Sequence, residues 1–182
     1  GRGLTTPEHA VLLAYSKMEL FDLVLASDVP EDPFIATTLE RYFPKPLRQR
    51  FAAQIPRHPL KREIIATHVV NSMVNRVGST FVHRLMETTG ARAPEIVRAY
   101  LLQREIFGYV PLWQSIEALD NKVPDQIPSE LLIEAGRLTV RATSWFLRSR
   151  RLAKPLERPI ERFPPGVETW SAGLPVPPAA QG

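Results

Sequence analysis

The side chains that could support catalysis or metal binding are few and widely spaced in this sequence of 182 residues. It contains no Cys, which excludes disulfides, thiolate metal sites and cysteine nucleophiles. Its four His residues do not combine with carboxylates at a metal-ligand spacing. It has no glycine-rich nucleotide loop, HExxH or Gly-x-Ser-x-Gly motif. No Lys lies in an apolar run that would lower its pKa. The sequence therefore argues against an autonomous enzyme and predicts no catalytic, cofactor-binding or metal-binding residue.

One cluster of uncharged polar residues is predicted on a helix over residues 64–75, a segment without a charged side chain. His68, Asn71, Ser72 and Asn75 recur at spacings of three and four, beside a second stripe that is aliphatic. This pattern is typical of a central, buried helix rather than a surface helix. We interpret His68, Asn71 and Asn75 as a buried polar stripe with a structural role, hydrogen-bonded to neighbouring backbone. The alternative is that the stripe lines a ligand pocket.

A second pattern is a seam of large and small residues on the last long helix, spaced four and three apart. Its members are Leu131, Ala135, Leu138, Ala142, Trp145, Ser149 and Leu152. Large residues alternate with small ones, which favours close packing of one facing helix. The prediction is that the seam packs against an earlier helix of the same chain, in the region of residues 64–85. The alternative is a coiled coil with a second chain.

The elements that hold these residues are predicted to be helices throughout, because prolines mark their starts, glycines mark their ends and no run alternates with period two. Helices are predicted over residues 6–26, 33–43, 46–55, 59–89, 94–108, 111–120 and 128–151. Whether Gly78 divides the fourth is left open. The predicted fold class is all-α, an irregular multi-helix domain of about seven or eight helices over residues 1–152. A Pro-rich, partly extended tail follows over residues 153–182.

Charge is distributed unevenly along the chain, whose formal net charge is +4. Two basic and seven acidic residues give residues 1–40 a net charge of −5, whereas residues 45–63 carry +5 and residues 137–162 carry +6. A basic segment can face phosphate, an acidic partner or the acidic segment of its own chain. Because no known nucleic-acid module accompanies the charge, nucleic acid is not an expected partner. No apolar run approaches the roughly 20 residues of a membrane span, so no membrane partner is expected.

Six runs spread over residues 3–152 are similar to one known family. They are GLTTPEHAVLLAYSK (3–17), HPLKREIIAT (58–67), VNRVG (74–78), TFVHRL (80–85), ETTGA (87–91) and WQSIEALD (113–120). They resemble the segment that follows the catalytic domain in the large bacterial NAD-specific glutamate dehydrogenases. The resemblance implies a cytoplasmic parent enzyme that oxidises L-glutamate to 2-oxoglutarate and ammonium with NAD. It also implies that this chain, which begins at Gly1 without a Met, is the helical C-terminal portion of that enzyme.

The resemblance places the family's chemistry outside this chain. The catalytic Lys and Asp and the dinucleotide-binding fold of the family belong upstream, and no position here matches them. NAD is therefore implied as the cofactor of the parent and not of this segment. The implied partners are the upstream catalytic domain of the same polypeptide and further copies in a homo-oligomer. The segment would brace the catalytic domain during closure or build the subunit interface. The alternative is a free-standing helical protein-interaction module with a basic face.

Overall fold

The computed structural model describes residues 3–149 and 156–162, and within them it contains helices and no strand. The α-helices are α1 (Thr6–Leu25), α2 (Pro33–Ala36), α3 (Thr38–Tyr42), α4 (Lys45–Arg50), α5 (Lys61–Val77), α6 (Phe81–Thr89), α7 (Ala93–Ile106), α8 (Tyr109–Glu117), α9 (Gln126–Arg148) and α10 (Glu157–Arg162). Short 3₁₀ turns lie at Val29–Glu31 and Ile55–Arg57. The predicted all-α fold class is confirmed. The described α-helices outnumber the seven or eight predicted because residues 33–43 form two short helices, Gly78 divides the segment 59–89, and α10 lies in the predicted tail.

Helix starts lie close to the prolines that predicted them. The cap of α1 is Thr5, whose backbone N–H and hydroxyl both donate to Glu8 Oε2 at 2.7 Å. These bonds hold the pKa of the Glu8 carboxyl below its ordinary value. At the start of α2, the carboxylate of Asp32 accepts a hydrogen bond from the backbone N–H of Phe34 at 3.1 Å. Local side-chain bonds therefore fix where these two helices begin.

Glycines end α5 and α6 in backbone conformations that other residues rarely adopt. Gly78 has φ of +85° and separates α5 from α6, which settles whether the predicted helix over residues 59–89 is continuous. Gly90 has φ of +70° and lies in the left-handed region after α6, as its predicted position beyond a helix end required. A side chain at either position would strain the backbone.

The central helix of the fold is α7, and not the segment that the polar stripe predicted. Eleven of the 14 residues of α7 are buried, and the helix contacts α1, α5, α6, α8, α9 and α10. By contrast, α5 buries only one face. The buried residues of that face are Ile65, Ala66, Val69, Val70, Met73 and Val74. The central position of α7 was not predicted from the sequence. This helix buries Arg98, Gln103 and Arg104, and residues of these types are normally expected at the surface.

The buried face of α9 also differs from the predicted seam. Leu131, Leu138 and Trp145 are exposed, so the prediction that they pack against an earlier helix is wrong. Of the smaller seam residues, Ala135 is buried and Ala142 is half-buried. The residues of α9 that face the core are Ala135, Thr139, Thr143 and Phe146. Threonine can occupy this face because each hydroxyl donates to a carbonyl one turn back, Thr139 to Ala135 at 2.9 Å and Thr143 to Thr139 at 2.8 Å.

Only part of the predicted tail lies in the described residues. Leu156 is fully buried in the core, and its backbone N–H donates to Asp32 Oδ2 at 3.3 Å. The helix that follows, α10, packs against α7. Residues 150–155, with the predicted boundary at residue 152 and the seam residue Leu152, lie outside the described residues, as do residues 163–182. A search of the described helices finds none whose length and apolar content would carry it across a bilayer.

Candidate functional site

The predicted polar stripe on α5 does not form a buried cluster. Asn75 is exposed, and its Oδ1 accepts a hydrogen bond from Lys17 Nζ at 2.8 Å. Asn71 is half-buried and lines a shallow pocket between α1 and α5, and His68 is also half-buried. The prediction of burial is therefore wrong for Asn75. Asn71 and Asn75 lie along the edge of the α1–α5 contact, where uncharged polar groups can meet a neighbouring helix and water at once.

The described residues offer little acid–base or metal chemistry. No group of three or more His, Asp or Glu residues among them could hold a metal ion. Burial raises the pKa of Tyr100 and of Tyr109, which keeps both hydroxyls protonated. Tyr100 is enclosed in the core, where its hydroxyl donates to the carbonyl of Ser72 at 3.4 Å. A tyrosine in this setting contributes to packing.

Two buried arginines of α7 are structural features that the sequence did not predict. Arg98 Nη2 lies 3.1 Å from Asp28 Oδ1, after the end of α1. Arg104 contacts Glu105 and lies 3.3 Å from Ser72 Oγ on α5. The contacts with Asp28 and Ser72 join α7 to two other parts of the chain, and these two residues lie too far away in sequence for spacing to indicate them.

A pocket of about 520 Å³ lies beside Arg98, between the end of α1 and the first turn of α7. Arg92 and Arg98 line it together with Asp28 and Glu95. The carboxylate of Glu95 accepts a hydrogen bond from the backbone N–H of Arg92 at 2.8 Å and so caps the helix. Because two carboxylates offset two guanidinium groups and the helix cap is filled, the pocket does not form an anion site.

The first exposed apolar area extends from just before α1 to the middle of that helix, and we call it the α1 surface. Its members are Leu4, Val11, Leu12, Tyr15 and Met18. Tyr15 is 67% exposed. The C-terminal half of α1 is anchored instead, since Leu20 and Val24 are fully buried against the core. An exposed apolar area on a folded domain is a candidate contact surface.

The second exposed apolar area is a groove between α8 and α9, which we call the α8–α9 groove. It has a volume of about 620 Å³. Its apolar lining comprises Leu112, Ile116, Leu119, Leu131, Ala135 and Leu138. Leu138 is 50% exposed, and Trp145, one heptad further along α9, is 47% exposed. Leu131 and Leu138 of the predicted seam thus form one wall of a surface groove. Trp145 extends the same row of large residues along α9 beyond the groove.

The helical fold and these two surfaces define a class of protein: an all-α domain with exposed apolar areas on α1 and along α8 and α9. The chain matches the family described as "Glutamate dehydrogenase, C-terminal" over residues 1–177. It belongs to this family.

Three curated relatives carry the name NAD-specific glutamate dehydrogenase. The chain is 46% identical to the protein from Halomonas elongata over 149 residues, which are 82% of this chain and 9% of the relative. It is 43% identical to that from Pseudomonas aeruginosa over 168 residues, or 92% of this chain and 10% of the relative. It is 37% identical to that from Mycobacterium tuberculosis over 163 residues, or 90% of this chain and 10% of the relative. The chain thus spans about a tenth of the length of the relatives it matches.

Proposed function

We propose that this chain is the C-terminal helical domain of a cytoplasmic NAD-specific glutamate dehydrogenase, which converts L-glutamate and NAD to 2-oxoglutarate, ammonium and NADH. The observation that carries the proposal is the family match over residues 1–177, together with relatives of that name about ten times longer. The residues that bind NAD and glutamate lie in the rest of the polypeptide. The role of this domain is non-catalytic: it braces the catalytic domain and contributes to the interface between subunits.

The bracing role rests on the α1 surface. The family is described as C-terminal, which supports a parent polypeptide in which most of the additional chain precedes α1. The first half of α1 exposes Val11, Leu12 and Tyr15, whereas its second half is held by the core. The second half of such a helix is held in this domain, and the apolar side chains of its first half can pack against another domain. Burying its exposed side chains against the catalytic domain would fix the orientation of that domain during closure around NAD.

The alternative of a free-standing module with a basic face has less support. One residue of the basic segment pairs with the acidic segment of the same chain. Arg62 pairs with Glu31, and its Nη2 donates to the carbonyls of Leu25 at 2.5 Å and Ser27 at 3.2 Å. This contact uses one of the basic groups that a separate acidic partner would need.

The test uses the full-length polypeptide that contains this chain. The double substitution Tyr15→Ser with Met18→Ser removes apolar side chains that the domain itself leaves exposed. We expect the isolated 182-residue chain to keep its thermal midpoint, while the full-length protein loses glutamate-dependent NADH formation or unfolds at lower temperature. The matched control is Leu60→Ser, which alters an exposed apolar residue outside the α1 surface. Wild-type full-length protein without glutamate-dependent NADH formation would contradict the enzyme assignment. Equal behaviour of the double variant and the control would contradict bracing through α1.

A further inference from the structure

Residues 44–54 form a stretch of the chain that the core of this domain does not cover. Every residue in the stretch is exposed, including all six residues of α4. The stretch is held at both ends, because Phe43 packs against the core and Ile55 is buried in it. A helix as short as α4 has little stability of its own and normally depends on tertiary packing. Because α4 buries no residue within this domain, we expect it to gain such packing from another surface.

The side chains of this stretch combine positive charge with apolar groups. Lys45, Arg48 and Arg50 are exposed, and none of them forms an ion pair with an acid in the described part of the chain. Leu47 and Phe51 are also exposed and lie one helical turn apart. The guanidinium of Arg50 lies 5.4 Å from the centre of the Phe51 ring, so cation and ring belong to one patch. We call these five residues the α4 surface.

The sequence around the α4 surface supplies no acidic group to neutralise it. No Asp or Glu occurs from residue 41 to residue 62. Arg62 does meet the acidic segment of this domain, through Glu31, but it lies on α5 and not on the α4 surface. Three like charges within six residues repel one another. Carboxylates brought against them would therefore relieve this repulsion as well as add attraction.

We propose that the α4 surface docks on an acidic surface of the upstream part of the parent polypeptide, where Arg48 and Arg50 pair with carboxylates around an apolar contact. This inference rests on the proposed function, in which this chain ends a polypeptide about ten times longer. Covalent linkage gives that larger part a high effective concentration beside α4. Arginine suits such a contact because its guanidinium can bond both oxygens of one carboxylate.

The mixture of side chains favours a polypeptide over a phosphate-bearing partner. Nucleic-acid backbones are bound mainly by cations and polar groups, which would give Leu47 and Phe51 no apolar contact. Helices that bind a membrane surface carry a large apolar face, whereas the six-residue α4 offers only two apolar side chains. Arginine and aromatic residues together are typical of protein–protein interfaces.

The α4 contact differs in physical origin from the contact proposed for the α1 surface. The α1 surface is apolar, and the burial of apolar area is not screened by salt. Ion pairs at an exposed edge are screened, so raised salt should weaken the α4 contact without weakening the α1 contact. The two contacts can therefore be tested separately in the same protein.

The first test is carbodiimide crosslinking of the full-length polypeptide, which joins a lysine amine to a carboxylate in direct contact. Lys45 reports on the α4 surface, and the control is Lys122, an exposed lysine between α8 and α9. We expect peptide mapping to link Lys45 to an Asp or Glu upstream of this chain, in a product with the mass of one polypeptide. Lys122 should give far less of such a product. Raising sodium chloride from about 0.05 M to about 0.5 M should lower the Lys45 yield roughly tenfold, because the contact is screened.

Charge reversal tests the role of the two arginines. Arg48→Glu with Arg50→Glu should lower the Lys45 crosslink yield roughly tenfold or more, whereas Arg48→Lys with Arg50→Lys keeps the charge and should retain most of it. The matched control is Arg84→Glu with Lys122→Glu, which reverses two exposed cations outside the α4 surface and should leave the yield unchanged. Circular dichroism confirms that each variant is folded.

Several outcomes would overturn the proposal. They are a Lys45 yield no higher than that of Lys122, a Lys45 product with the mass of two polypeptides, and a yield that neither salt nor charge reversal changes. Binding of the wild-type polypeptide to a DNA duplex or to phosphatidylglycerol vesicles at physiological salt, lost on charge reversal, would also overturn it by assigning the α4 surface to phosphate. None of these measurements requires glutamate turnover, so failure here is distinct from failure of the enzyme assignment.

Discussion

Which face of α9 packs on the core can be decided by two substitutions on the same helix, Phe146→Ala and Leu138→Ala. Phe146 is 1% exposed and belongs to the core, whereas Leu138 is half exposed. Removing a fully buried phenylalanine ring costs about 3–5 kcal/mol, because both the transfer of the ring and the cavity contribute. Full burial of a leucine side chain contributes about 1.5–3 kcal/mol, so truncating one that is half buried should cost about 1 kcal/mol or less.

These free energies predict clearly separated thermal midpoints. In a chain of this length, 1 kcal/mol shifts the midpoint by roughly 2–4 °C, so Phe146→Ala should lower it by roughly 6–20 °C and Leu138→Ala by roughly 2–4 °C. The measurement is thermal and urea unfolding followed by circular dichroism, at a protein concentration low enough to avoid association of copies. An equal or larger loss for Leu138→Ala would show that the heptad seam is the core face and that the described orientation of α9 is wrong.

Two further predictions concern backbone conformation and ionisation. Gly90→Ala should cost about 1–2 kcal/mol because Gly90 has a positive φ, whereas Gly136→Ala, inside α9 with open space where the new methyl group would lie, should stabilise by about 0.5–1 kcal/mol. Urea midpoints of the two variants check this, and loss of stability in both would contradict it. Burial raises the pKa of Tyr100, so its stabilising contribution is present below the ordinary tyrosine pKa near 10 and is lost as the pH rises beyond it. Tyr100→Phe should therefore reduce the alkaline loss of stability, and an unchanged pH profile would contradict this.

The helix boundaries could be predicted because local chemistry determines them. Pro33 after Asp32 starts α2, and Gly90 ends α6, through bonds and backbone angles within a few residues of each site. The residues that predict such a boundary are also the residues that form it. Long-range packing has no influence on whether Gly90 can adopt a positive φ. This explains why most of the predicted helices agree with the structure to within a few residues.

The packing of these helices could not be predicted in the same way. The central position of α7 depends on Arg98 meeting Asp28 and Arg104 meeting Ser72, and these partners are 70 and 32 residues away. When its partner cannot be identified from the sequence, an arginine is expected at the surface. Asn75 shows the opposite error: the lack of charge around it suggested burial, but the residue is exposed and meets Lys17 from a different helix.

The location of the candidate surfaces was only partly predictable. The spacing of Leu131, Leu138 and Trp145 correctly identified one face of α9 but assigned it to the core. Periodicity shows that residues share a face and does not show which way the face points. The α1 surface was not predicted at all, although Val11, Tyr15 and Met18 follow the same spacing of four and three. That spacing was the signal that could have found it.

A helix of a domain that acts alone usually buries its large apolar residues and exposes its smaller or polar ones. The distribution of residues around α9 is the reverse. Its core face carries small or hydroxyl-bearing residues, Ala135, Thr139 and Thr143, with Phe146 as the large exception. Its outward face carries the larger side chains of Leu131, Leu138 and Trp145. Small buried residues let α9 approach α7 closely, and these two helices make the most extensive contact in the described structure. Leu131 and Leu138 are about half exposed, so they contribute less to that contact. The stability of the helix thus comes mainly from its core face.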